Sequence, residues 1–183
     1  MAHFPILGVV LAGGKSQRFG SDKALASLGG TPLIVHAVEA LSGWCDHVVI
    51  TGRMAGPAPC LPDWPHADMG PLAGLTAALR FAADEGYGAV LSCGVDSPGL
   101  PANLPGLLAP APACLADQPV IGLWPTSACA AAESILKGSS RHSMYALAEA
   151  IGARLVNASP SANINFPQDL ADIDRLQDPG NEA

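Results

Sequence analysis

An open, mostly parallel α/β sheet with helices on both faces, three layers in all, is the fold that three observations in the sequence predict. Residues 6–11, 47–50 and 89–93 are near-continuous apolar runs of strand length, the pattern of parallel strands covered on both faces. Segments with helical periodicity separate them, which is the spacing of repeated strand–helix units. Glycine, proline or a charge interrupts each apolar run well short of the roughly 18 residues that a membrane span requires.

The first run, 6–11, has no charge to expose and belongs at the centre of the sheet. The uncharged stretch 1–14 lacks the basic segment and small-residue cleavage site of a signal peptide, so it reads as this buried strand. A polar, glycine-rich loop follows as far as Lys23. Thr31 and Pro32 then supply an N-cap and a first helical residue; Leu33, Ala37 and Leu41 share one face, and Gly43 stops the helix. The second strand, 47–50, leads to a helix opened by Gly70-Pro71, with Leu72, Leu75, Leu79 and Ala83 on one stripe and Gly86 at its end. The third strand, 89–93, runs into Gly94-Val95-Asp96-Ser97-Pro98, which turns the chain out of the sheet just past a carboxyl end. Further on, 120–124 and 154–156 read as strands and 127–137 and 140–151 as helices. A helix begun after Pro167 is expected to fray into an acidic tail over 171–183.

Composition bounds the rest. A chain of 183 residues, 49% hydrophobic and 14% charged, suits one globular domain spanning 1–183. The net charge of −7 disfavours nucleic acid or an anionic membrane as the main partner. Five cysteines without a Cys-x-x-Cys pair are expected to stay reduced in cytoplasm as small core residues.

Against that negative background, Lys15, Arg18 and Lys23 gather three of the nine basic residues in a loop that also holds Gly13, Gly14 and Gly20. Glycines let backbone N–H groups turn inward, and the cations share charge with a phosphate chain. An ordinary solvated loop would not need the flanking strand and this concentration of charge. Gly14-Lys15-Ser16 looks like the end of a Walker A loop, but residue 9, where that motif needs glycine, is valine. The dinucleotide fingerprint fails as well, because the glycines have the wrong spacing. In an open α/β sheet the loops after 11, 50 and 93 all face the ligand crevice. Asp96, just past the carboxyl end of the third strand, thus either faces that crevice or caps the turn before Pro98.

Leu11-Ala12-Gly13-Gly14, followed by Arg18, Gly20 and Asp22-Lys23, resembles the opening motif of the MobA-like nucleotidyltransferases. Further matches are Asp68 before Gly70-Pro71-Leu72-Ala73-Gly74, the Asp96-Ser97-Pro98 turn, Pro119-Val120-Ile121, and 163–170. The resemblance implies a Rossmann-like nucleotidyltransferase fold of the nucleotide-diphospho-sugar transferase type. It also implies transfer of a nucleotidyl group from a nucleoside triphosphate to a substrate phosphate with release of pyrophosphate. The double glycine at 13 and 14 favours a guanine nucleotide, making GTP the donor and molybdopterin the acceptor, as in the guanylyltransferases of molybdenum cofactor biosynthesis. Mg2+ is the implied cofactor, with Asp96 as its carboxylate, and other proteins of molybdenum cofactor biosynthesis are transient partners compatible with that acceptor. No oligomeric state follows.

Site residues carry over on the same terms. Leu11, Ala12, Gly13 and Gly14 would contact nucleotide through their backbone, Lys23 the triphosphate, and Arg18 the charge on the transferring and leaving phosphates. Asp68 matches a nucleotide-binding position or is the N-cap of the helix opening at Gly70. Asn163 and Asn165 match positions near the second substrate or form turns. Lys137, Ser139 and Arg141 either bind an anionic acceptor or form a charged helix junction with Gly138 as C-cap. The chain departs from the pattern at Thr51-Gly52-Arg53, where guanylyltransferases carry an asparagine, and at Gln118 before Pro119. A cytidylyltransferase for the same cofactor or for another phosphorylated metabolite, and a nucleotide-binding module without turnover, share the residues named so far.

Overall fold

The computed structural model describes residues 4–13, 22–139 and 141–158. Strand β1 (Ile6–Leu11) is central, as its uninterrupted apolar run requires: it pairs in parallel with β4 (His47–Thr51) on one side and β6 (Ala89–Gly94) on the other. Before β4 come a 3₁₀ turn, Lys23–Leu25, the two-residue strands β2 (Ser27–Leu28) and β3 (Thr31–Pro32), and helix α1 (Leu33–Ser42). β5 (Cys60–Leu61) and α2 (Pro71–Asp84) lie between β4 and β6. Beyond β6 follow α3 (Leu104–Leu108), β7 (Ala113–Leu115), β8 (Gly122–Pro125), α4 (Cys129–Lys137), α5 (Met144–Ala150) and β9 (Arg154–Val156).

The main sheet runs β5-β4-β1-β6-β8-β7-β9, with β8 antiparallel to both neighbours and the other pairs parallel. Alternation along β1 divides the core in two. Leu7, Val9 and Leu11 pack with Leu72, Leu75 and Leu79 of α2 and with residues of α4 and α5, whereas Val10 packs with Ile34 and Leu41 of α1 and with Leu104 and Leu108 of α3. Helices therefore cover both faces of the sheet in three layers. Among the described residues no helix is long and apolar enough to cross a membrane. All five cysteines are free, Cys93 and Cys114 fully buried.

Several boundaries differ from expectation for physical reasons. Thr31 and Pro32 do not open α1: they pair with Ser27 and Leu28 across a two-residue Gly29-Gly30 turn, both glycines at positive φ, and Pro32 is the residue before the helix. The buried stripe of α2 ends at Ala82, not Ala83, which is exposed. The strand expected at 120–124 starts two residues later and is antiparallel, since Ile121 N–H turns back to Gln118 O at 2.9 Å. A 3₁₀ turn over Thr126–Ala128 precedes α4. α5 begins at Met144, not at residue 140, because Ser143 accepts the Ala146 N–H at 3.1 Å as its N-cap. The expected helix after Pro167 and the acidic tail at 171–183 lie outside the described residues.

Register fixes where the loops emerge. Leu11 stands opposite Thr51 in β4 and opposite Gly94 in β6. Three neighbouring parallel strands thus end at one level, and the chain runs from β1 to β4 on one side and later returns past β1 to β6 on the other, the reversal at which open α/β folds form their crevice.

Candidate active site

The loops leaving β1 and β4 touch through two glycines. Ala12 N–H donates to Thr51 O at 3.0 Å, and Gly52, at φ +79°, lies so close that a Cβ built on it would sit 2.3 Å from both Cα and N of Gly13. Only a residue without a side chain permits this approach. It sets Leu11, Ala12 and Gly13, the described part of the predicted nucleotide loop, directly against the end of β4.

Lys23 and Asp96, predicted from separate loops, come together. Asp22 accepts the Ala24 N–H at 3.2 Å and so caps the 3₁₀ turn that starts at Lys23. Lys23 Nζ lies 3.6 Å from Asp96 Oδ2 across the gap between the loops after β1 and β6. The lysine side chain is 14% exposed and the aspartate 39%, so the cation is enclosed while the carboxylate opens to solvent. Ser97 Oγ, 2.8 Å from Gln118 Oε1, also approaches Asp96 Oδ1 at 3.5 Å. Glycine at 94 leaves room for that carboxylate, since a Cβ there would fall 2.6 Å from its Oδ1. Arg53 pairs with Asp22 at 2.8 Å.

A cavity of about 800 Å³ opens between the end of β4 and the amino end of α2. Leu11, Gly13, Thr51, Gly52, Asp63 and Gly74 are among its lining. Two polar atoms in it are buried without a hydrogen-bond partner among the described residues, Thr51 Oγ1 and Asp63 Oδ1. Buried polar groups are normally satisfied within the fold, so these two orphaned atoms, both on residues that line the cavity, mark it as a place where packing is not optimised for stability alone. Burial pushes the Asp63 carboxyl above its ordinary range and the nearby Asp68 adds to this, while a hydrogen bond from the Gly52 backbone opposes it.

Asp68 also lines the cavity, exposed and at φ +68°. It is not the N-cap of α2: that position is Gly70, and no side chain caps the helix. Lys137 makes an ion pair with Glu133 at 3.2 Å, lies 5.2 Å from the centre of the Trp64 ring, and is followed by Gly138 as C-cap, the junction that the sequence allowed. Gly14, Arg18, Asn163 and Asn165 lie outside the described residues.

Thr51 and Asp63 were not among the expected site residues. Asp63 follows the last residue of β5 by two positions, as Asp96 follows the last residue of β6 by two. A two-residue edge strand has no periodicity to mark it, so that equivalence is hidden in the sequence.

Residues 8–156 match the MobA-like NTP transferase domain family. A molybdenum cofactor guanylyltransferase of Acidiphilium cryptum is 36% identical over 88% of this chain and 90% of its own length. One from Rhodobacter capsulatus is 35% identical over 94% of this chain and 97% of its own. Among solved structures, molybdopterin-guanine dinucleotide biosynthesis protein A of Archaeoglobus fulgidus superposes with a TM-score of 0.76 at 21% identity, covering 95% of this chain and all of the other. The 2-C-methyl-D-erythritol 4-phosphate cytidylyltransferase of Thermus thermophilus has a TM-score of 0.60 at 19% identity, covering 92% and 97%. The fold is the Rossmann-like one of these nucleotidyltransferases.

Proposed function

The chain belongs to the MobA-like NTP transferase family, and from that premise we propose that it transfers the guanylyl group of GTP to the phosphate of molybdopterin. An oxygen of the acceptor phosphate attacks the α-phosphorus of GTP, the bond from that phosphorus to the bridging oxygen breaks, and pyrophosphate leaves. Reaction between two anions needs positioning and charge neutralisation more than a nucleophilic side chain. Lys23, enclosed at the crevice floor, supplies fixed positive charge to the phosphates, and Arg18 is assigned to the same task. The glycine contact between residues 13 and 52 keeps side chains away from the place where the loop backbone would meet the nucleotide.

The carrying observation is the pairing of Lys23 with Asp96 at the strand ends where the cavity lined by Gly13, Gly52 and Asp63 also opens. Asp63 would read the base. Guanine presents adjacent N1–H and N2–H donors that a carboxylate accepts together, whereas cytosine places acceptors N3 and O2 there beside one amino group. Asp63 replaces, in this reading, the discrimination lost with the family asparagine after the second strand.

The donor set fits magnesium. No group of three or more His, Cys, Asp or Glu side chains capable of holding a metal occurs among the described residues, whereas magnesium uses one or two carboxylates together with phosphates and water. Asp96 would hold the ion, which when bound would neutralise and align the phosphates. Five free thiols fit a reducing cytoplasm, and transient contact with the proteins that supply or accept the cofactor fits this acceptor.

The test is to incubate the protein with Mg2+, molybdopterin and each nucleoside triphosphate in turn, following pyrophosphate and product mass. GTP is expected to give the guanine dinucleotide. The cytidine product instead would overturn the base assignment, and nucleotide binding without any product would overturn transfer.

A further inference from the structure

We propose that Arg53 is a positioning residue that acts through Lys23 by fixing the turn that carries this lysine; the proposal rests on the nucleotidyl-transfer reading of the same crevice. Arg53 Nη1 lies 2.8 Å from Asp22 Oδ1 and 2.8 Å from Asp22 Oδ2. The arginine side chain is 20% exposed and the aspartate 45%, so the pair opens to solvent on the aspartate side, and its weight here is geometric. The same Oδ1 accepts the Ala24 N–H. Guanidinium and peptide thus share one carboxylate, and Lys23 is the residue between them.

The contacts form a continuous path from the loop after β4, through Asp22, to Lys23 and across to Asp96 in the loop after β6. Gly52 performs the matching task on the other side, where its backbone meets Gly13. Neighbouring residues of one loop therefore hold Gly13 and Asp22, the two described residues that flank 14–21. A cation that neutralises charge developing on phosphates is effective only at the right distance, and misplacement by about 1 Å costs on the order of 100-fold in rate. Arg53 also lines the cavity, so direct contact with the nucleotide is the rival role. The two differ in kinetics: positioning Lys23 affects kcat, whereas uniform nucleotide binding affects KM.

The experiment measures kcat and KM for GTP, with molybdopterin as acceptor, in K23A, R53A, R53K and the double variant R53A/K23A of the full chain. R53A is expected to lower kcat roughly 10- to 100-fold with KM for GTP changed less than about threefold. R53K should recover much of the rate, because one nitrogen makes both contacts to Asp22. The double variant should be no slower than K23A, since a residue acting through Lys23 has nothing left to act on. Multiplication of the two defects, a defect in KM alone, or unchanged turnover in R53A would overturn the proposal while leaving the reading of the site in place. Full turnover in K23A would overturn both. If R53A does not fold, D22N breaks the same tie while asparagine keeps the cap, and the same absence of additivity against K23A is expected; multiplicative defects there overturn the proposal as well.

Discussion

Asp63 carries its charge at a disadvantage. Its Oδ1 is buried without a partner among the described residues, Asp68 lies near, and the carboxyl is pushed above the ordinary range chiefly by burial. The folded protein thus binds this proton more tightly than the unfolded chain, so the contribution of Asp63 to stability falls as pH rises from the ordinary carboxylate range through the raised one. Asp63→Asn removes that penalty and keeps an oxygen that can accept from Gly52. Its thermal midpoint is expected to gain on the parent protein between pH 4 and pH 8, and a gap that stays constant or shrinks would contradict the burial argument. The variant should also lose on the order of 100-fold or more in kcat/KM for GTP, because asparagine cannot accept both guanine donors. Lys23 and Asp96 were legible in the sequence, the first from cations gathered around glycines and the second from an acid just past an apolar run. Asp63 was not, because what makes it a candidate is an orphaned atom, a property of packing.

At the scale of elements, the crevice depends on how closely the loops after β1 and β4 meet. Gly52 and Gly86 share a positive φ, +79° and +82°, but a Cβ on Gly86 would meet nothing within 4 Å. Gly86→Ala should therefore cost only the left-handed backbone term, about 1 kcal/mol. Gly52→Ala must also separate two backbones and should cost about 2 kcal/mol or more beyond that, a fall of roughly 4–8 °C in thermal midpoint. Equal midpoints for the two variants would show that the Gly13–Gly52 contact does not constrain the loops. Elements with long apolar runs were read correctly because burial on both faces leaves a composition that a loop cannot share: β1, β4, β6 and α2 are where the sequence puts them. The β2–β3 hairpin, β5, α3 and β7 have at most five residues each and are held by their partners. β8 reverses direction after a tight turn, and Trp124, fully buried within it, donates to Ser92 Oγ at 2.9 Å, a pairing that only the assembled sheet provides.

For the molecule as a whole, negative net charge and an enclosed lysine beside Asp96 are complementary features. An overall charge of −7 repels polyanions at long range, while an enclosed lysine, in the proposed reaction, acts over a few ångströms on one triphosphate. The strands that carry the site are consecutive neighbours in the sheet, with Leu11, Thr51 and Gly94 in register, so the positions of Gly13, Gly52 and Asp96 follow from the most deeply buried part of the fold. In the proposed reaction the phosphates bind beside Lys23 and Asp96 while the base enters the cavity toward Asp63. A crystal of the protein grown with a non-hydrolysable GTP analogue and Mn2+ tests it most directly. An anomalous peak is expected at the Asp96 carboxylate, with the triphosphate beside Lys23 and the guanine N1 and N2 within hydrogen-bond distance of Asp63. Metal and phosphates bound away from residues 23 and 96, or a base directed away from residue 63, would contradict it.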